Sequence, residues 1–212
     1  MALSKASQTI TLILALLLAF SVNTASAAAP FGIAKYEGYT EGVLGINGTI
    51  FGVEVEMYGT MEQIFEQFAK EHPEVELDFK NETAATSRAT RGVDNKADLN
   101  CCPKDPFGWT GAAVKTIEDG IWYPQHVNAL CTVGKRSCVR VSCSYRAGIY
   151  LCNDNYYDIA PNCVYIASYA QDLINSCPSR LWNGKRWYDA VCGQEFDTDN
   201  YNVIVHYANE GC

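Results

Sequence analysis

All ten cysteines of this 212-residue chain lie between Cys101 and the last residue, Cys212, and the hundred residues before them contain none. An even number of cysteines on an exported chain reads as a disulfide framework rather than a set of reactive thiols. The set is Cys101, Cys102, Cys131, Cys138, Cys143, Cys152, Cys163, Cys177, Cys192 and Cys212. A bridge between the neighbours Cys101 and Cys102 would need a strained turn, so the two are expected to tie one strand end to two distant points. Spacing leaves the pairing otherwise open. Bridges at about 2–4 kcal/mol each would offset a small core.

Export is expected from the N-terminus. Lys5 precedes an apolar run, Ile10–Val22, and Ala25-Ser26-Ala27 offers a small-residue cleavage site before Ala28. The run is too short to span a bilayer, which takes roughly 20 residues. The expected organisation is therefore a signal peptide over 1–27, an acidic cysteine-free region over 28–92, and a disulfide-rich domain over 93–212. The middle region is either a pro-segment or a small domain. A secreted, extracellular monomer follows.

Composition narrows the partners. Sixteen Lys/Arg stand against 24 Asp/Glu, for a net charge of −8, with 48% hydrophobic and 12% aromatic residues. That is apolar enough for a packed core. An acidic chain is a poor match for nucleic acid, which requires clustered positive charge.

In the cysteine-free region, Ile50–Tyr58 alternates, with Val53, Val55 and Met57 opposing Glu54 and Glu56, as in a half-buried strand. Thr60 and Gln63 form a capping box for a helix from Met61, whose stripe is Ile64, Phe65, Phe68 and Ala69 and which Pro73 stops. Val75, Leu77 and Phe79 then alternate as a second strand. This strand–helix–strand unit buries little alone and needs a partner face. Asn47-Gly48-Thr49 and Asn81-Glu82-Thr83 are glycosylation sequons. Asn81–Gly92, polar and carrying Arg88 and Arg91, reads as a linker, with processing as the alternative.

In the cysteine-rich region, Thr110 is a candidate N-cap for a helix with the stripe Ala113, Val114, Ile117 and Ile121. Ser137–Cys143 and Gly148–Asn153 suit two strands of a hairpin that turns at Ser144–Ala147. Cys163, Ile166, Ala167, Ala170, Leu173, Ile174 and Cys177 repeat at helical spacing up to Pro178, with both bounding cysteines on the buried face. Tyr201–Tyr207 alternates as a last strand. The expected class is α+β: a disulfide-rich antiparallel sheet with two helices on one face, preceded by the strand–helix–strand unit.

The cysteine order, Asn100-Cys101, A-L-C at Cys131, the cysteine-bounded helix, Cys192-Gly193 and the closing Y-N-V-I-V-H-Y-A-N-E-G-C together resemble the fungal killer-toxin family typified by the KP four toxin of corn smut. The likeness covers Leu99–Cys212. Ser142–Asn155 also resembles small secreted proteins of filamentous fungi. The resemblance implies a single-layer antiparallel sheet with helices on one face, secretion by a fungus, and growth inhibition through interference with calcium uptake. The family's working lysine stands just before the mid-chain cysteine. Here that stretch is Val139-Arg140-Val141-Ser142, and Arg140 is the nearest base.

Few residues suggest chemistry. With the cysteines oxidised there is no thiol nucleophile. His72, His126 and His206 lack metal-ligand spacing, so no metal or other cofactor is expected. Glu118-Asp119 and Asp197/Asp199 could be imagined as acid/base pairs for sugar hydrolysis, but such acids are ordinarily solvated surface. Lys135, Arg136 and Arg140 form a basic cluster that could meet a membrane or channel target. Trp182, Trp187 and Tyr188, set among Arg180, Lys185 and Arg186, could stack on sugar rings or lie at a membrane surface, although small domains more often spend tryptophan on core. The function expected is a non-catalytic toxin- or effector-like protein that binds a target on a competitor or host cell, such as an ion channel. The alternatives are a carbohydrate-binding or cell-wall-associated protein, and then a small hydrolase.

Overall fold

A computed structural model describes residues 39–77, 95–102 and 108–212. The expected leader, the Asn81 sequon and the Arg88/Arg91 connector lie outside the described residues. The chain begins with β1 (Thr40–Gly42), β2 (Gly45–Ile50) and β3 (Val53–Tyr58), followed by α1 (Met61–Glu71). The alternation read as one strand is the second arm of a β2–β3 hairpin that turns at Phe51-Gly52. Its inward residues include Met57, and Glu54 and Glu56 point out. The capping box of α1 is present: the Gln63 N–H donates to Thr60 Oγ1 and the Thr60 N–H to Gln63 Oε1. Met61, Ile64, Phe65 and Phe68 are buried.

The second strand expected at Val75–Phe79 is not formed over its described part. The Val75 N–H instead bonds back to the His72 carbonyl (3.0 Å), closing a turn. Val75 and Leu77 pack on the core and pair with no strand among the described residues, and Phe79 lies outside them.

The chain continues with β4 (Lys96–Cys101), β5 (Ala112–Ala113), α2 (Val114–Gln125), β6 (Val127–Thr132), β7 (Ser137–Ser144), β8 (Ala147–Asn153), α3 (Cys163–Ser176), β9 (Pro178–Trp182), β10 (Trp187–Val191), β11 (Gly193–Asp197) and β12 (Tyr201–Tyr207). Thr110 does not cap α2. The segment before the helix is drawn into β5, which pairs with Ala190 and Val191 of β10, so the N-cap falls at Ala113 with no side-chain cap bond. Asn162 caps α3, accepting from the N–H groups of Val164 and Tyr165.

The class is α+β and disulfide-rich, but the single sheet of the sequence reading is three. A six-stranded sheet runs β1-β7-β8-β12-β11-β4, and two three-stranded sheets run β5-β10-β9 and β3-β2-β6. Pairing is antiparallel except where β1 runs parallel to β7. Among the described residues there are three helices. The expected α2 and α3 pack on each other and against strands of the large sheet, and α1 packs on α2 and β7. Gly120 makes the α2–β7 approach possible, since a Cβ there would lie 2.3 Å from Ser142 Oγ.

The two chain regions share one core. β2 pairs along its length with β6, and Ile46, Phe65 and Phe68 join Ile117, Val139, Ile149, Leu173 and Val203 in a single buried cluster. This is the partner face that the N-terminal unit required. A smaller cluster holds Cys138, Tyr150, Cys152 and Ile204, with Tyr39 and Trp109 packed on it.

Five bridges pair all ten cysteines: Cys101–Cys177, Cys102–Cys192, Cys131–Cys163, Cys138–Cys152 and Cys143–Cys212. The adjacent pair does reach two distant points, and both cysteines bounding α3 are bonded. So many bridges fit an extracellular protein. Among the described residues, no helix is long and apolar enough to cross a membrane.

Candidate binding surface

The β9–β10 hairpin is anchored at both feet by the adjacent cysteines. Pro178 follows Cys177, which is bonded to Cys101, and Val191 precedes Cys192, which is bonded to Cys102. The turn between the strands is built locally. Asn183 Oδ1 accepts from the N–H groups of Lys185 (3.0 Å) and Arg186 (2.9 Å), and Gly184 supplies a φ of +89° that side chains rarely adopt. Stapled feet and a self-bonded tip restrict the hairpin's freedom.

The register sets Trp187 directly opposite Trp182 and Asp189 opposite Arg180, so these four side chains share one face. The two indole rings lie 5.7 Å apart at an interplanar angle of 53°. They are 53% and 58% exposed, so the core role expected for them is not the one they have. Arg180 and Asp189 form an exposed ion pair at 3.5 Å, a geometry worth little to stability.

Beside this face runs an open groove of about 770 Å³. Asn183, Arg186, Tyr188 and Asp189 form the hairpin wall, Lys115 and Glu118 project from α2, Tyr145 comes from the β7–β8 turn and Tyr207 from β12 of the large sheet. Tyr145 stands in the β7–β8 turn and is 92% exposed. Of the groove residues, Tyr188 stands out in the sequence beside the two tryptophans, whereas residue-by-residue reading missed Tyr145 and Tyr207 as contact residues. A legible signal was present at one of them, because Tyr145-Arg146 occupies a tight hairpin turn where Asn-Gly is the favoured pair.

The basic cluster does not assemble on this surface. Lys135 and Arg136 precede β7, at the opposite end of that strand from Tyr145. Arg136 stacks over the Tyr39 ring (4.0 Å) and donates to Tyr39 Oη (3.1 Å) and the Asp154 carbonyl (3.2 Å). Burial and the Asp154 carboxylate push the Tyr39 hydroxyl up to about 12. Arg140 is buried, facing Glu210 at 3.5 Å with its guanidinium 5.9 Å from the Tyr150 ring. Lys135 alone of the three is exposed. Asn47, by contrast, is exposed on the outer side of the β3-β2-β6 sheet.

The imagined acid pairs have other partners. Asp119 bonds Lys115 one helical turn away at 2.6 Å, and Glu118 lines the groove. Asp197 is buried, accepting from the Tyr169 hydroxyl and from the Asp199 N–H (2.7 Å). Nearby, Glu195 is also buried, and its Oε2 finds no hydrogen-bond partner among the described residues. Burial pushes its carboxyl up to about 7, against the pull of Lys96 and with the help of Asp172. The three histidines lie apart: His72 beside Glu74, His126 stacked on Trp122, and His206 between Trp109 and Tyr150. Among the described residues, no three acidic, histidine or cysteine side chains converge as a metal site.

Comparison of the chain with protein-family models, with curated proteins and with solved structures finds no match.

Proposed function

We propose that this chain is a secreted, non-catalytic, toxin- or effector-like protein that acts by binding a target on the surface of a competitor or host cell. In this reading its contact surface is the β9–β10 hairpin. The observation that carries the reading is the Trp182–Trp187 pair, side by side and more than half exposed on a hairpin with bridged feet. Tryptophans this exposed contribute little to a core, and paired, preorganised aromatic side chains are the residue type that dominates binding energy at contact surfaces. The commitment of Asp119 and Asp197 to other bonds supports binding over hydrolysis. The burial of Arg140 moves the expected contact away from the position nearest the toxin family's lysine.

The test is growth inhibition of competitor fungi, and host response to infiltrated protein, measured for the oxidised chain, the reduced chain and the W182A/W187A variant. Activity in the oxidised chain is expected to be lost in the other two, with the melting temperature of the variant unchanged. Full activity in the variant overturns the assignment of the surface. Turnover of wall polysaccharide by the chain would overturn the non-catalytic reading.

A further inference from the structure

We infer that the groove between the β7–β8 turn and the β9–β10 hairpin binds a single chain of a neutral, soluble glycan, with Tyr145 as a contact residue. This rests on the reading of the hairpin as the contact surface.

The first argument is backbone strain without local compensation. Tyr145 and Arg146 both have positive φ, +47° and +64°. A two-residue hairpin turn of this kind is the place for Asn, Asp or Gly, because a Cβ is disfavoured there. Arg146 has a structural reason to be present. Its guanidinium donates to the Asn209 carbonyl (2.9 Å), and its own carbonyl accepts from the Ala208 N–H (2.8 Å). It thereby holds the C-terminal tail that the Cys143–Cys212 bridge also secures. Tyr145 has no such reason. At 92% exposure its ring gains almost nothing from burial, yet the turn carries the strain and displays the ring at the groove wall. Strain with no structural return of this kind is a feature of contact and active sites.

The second argument is the chemistry of the lining. Two acids, Glu118 and Asp189, and two bases, Lys115 and Arg186, balance in charge, so neither a polyanion nor a cation is favoured. Acceptors and donors side by side suit hydroxyl groups, each of which both donates and accepts. Tyr145 and Tyr188 supply flat apolar faces to pack against sugar rings. The groove volume of about 770 Å³ is of small-ligand size. The third argument is the shape of the site: a groove walled by the hairpin, α2 and the β7–β8 turn admits one chain between its walls and not the flat face of a crystalline polymer.

The experiment is affinity gel electrophoresis of the oxidised chain in laminarin, in xyloglucan and in soluble chitin hexamer. Pull-down on crystalline cellulose and on mixed neutral/anionic phospholipid vesicles runs in parallel. The expected result is retardation by at least one soluble neutral glycan and none on the crystalline polymer. Tyr145→Gly should weaken that binding at least tenfold while raising the melting temperature, a combination that a merely structural tyrosine would not produce. Arg186→Ala, a change on the hairpin wall of the groove, should weaken binding at unchanged melting temperature. The proposal is overturned by an absence of retardation in all three glycans, by capture on vesicles alone, or by unchanged binding in Tyr145→Gly. If W182A/W187A abolishes biological activity while no glycan retards the wild-type chain, the hairpin reading stands and the glycan assignment falls.

Discussion

The carboxylate of Glu62, in the first turn of α1, accepts the backbone N–H of Cys143 on β7 at 3.1 Å, and it also accepts a hydrogen bond from the Ser142 hydroxyl. A residue of the cysteine-free region thus completes the hydrogen bonding of a strand in the disulfide-rich region. Ser142 is 2% exposed, so water cannot replace the carboxylate there. Glu62→Ala should destabilise the protein by about 1–3 kcal/mol, the cost of leaving buried donors unpaired. Glu62→Gln, which keeps an acceptor oxygen, should lose less. Urea unfolding of both variants at one pH checks the order, and equal losses would contradict it.

The same relationship bears on cleavage between the two regions. No disulfide joins them, since all five bridges lie within Cys101–Cys212. They are nevertheless linked by the β2–β6 and β1–β7 pairings and a common core. A chain cut at Arg88 or Arg91 should therefore remain a two-piece complex and not release its N-terminal part. With a protease site engineered into that segment, the cleaved halves should co-elute in gel filtration and separate in urea without any reductant. Separation in plain buffer would refute this.

Periodicity exposed the elements whose fate is decided by their own residues. The Thr60–Gln63 box, the α3 stripe from Cys163 and the Tyr201–Tyr207 strand each announce themselves within a dozen positions. What stayed hidden was decided by distant partners. Thr110 looks like a cap until β10 draws the next residues into β5. Val75 and Leu77 alternate like a strand but pair with no strand among the described residues. The candidate surface was half legible: the tryptophans were visible as residues, but their exposure depends on the Trp182–Trp187 register and on which disulfides hold the hairpin feet. The basic cluster failed for the complementary reason, because proximity in sequence along β7 does not say that Arg140 turns toward Glu210.

Arg140 yields a prediction that separates structure from activity. Its side chain is 9% exposed and faces Glu210, whose carboxylate also accepts from Tyr150 Oη (3.4 Å). Removing one partner of a fully buried ion pair costs about 3–5 kcal/mol, because the other charge is left stranded, and the 20% exposure of Glu210 makes that a ceiling here. Arg140→Ala should lower stability by less than this, and the double variant Arg140→Met with Glu210→Gln should recover much of the loss. Where the double variant is folded, its biological activity should match wild type. A folded but inactive double variant would return Arg140 to the list of contact residues.

Glu195 makes stability depend on pH in an unusual direction. Its carboxyl shifts from an ordinary 4.5 to about 7, chiefly through burial between β4, β11 and α3, with Asp172 adding to the shift and Lys96 opposing it. Between these two values the unfolded chain has released the proton and the folded chain still holds it. The folded state therefore binds more protons, and stability falls as pH rises across this window. The contribution is intact below about pH 4.5 and fully lost above about pH 7, with an upper bound of about 3–4 kcal/mol at 1.36 kcal/mol per unit. This is opposite to the sense given by a salt-bridged acid. Glu195→Gln removes the titration while keeping the shape of the side chain. Urea midpoints of the wild type should fall between pH 4.5 and 7, those of the variant should fall less, and the variant should be the more stable of the two at pH 8. Identical slopes in the two proteins would show that another group carries the dependence.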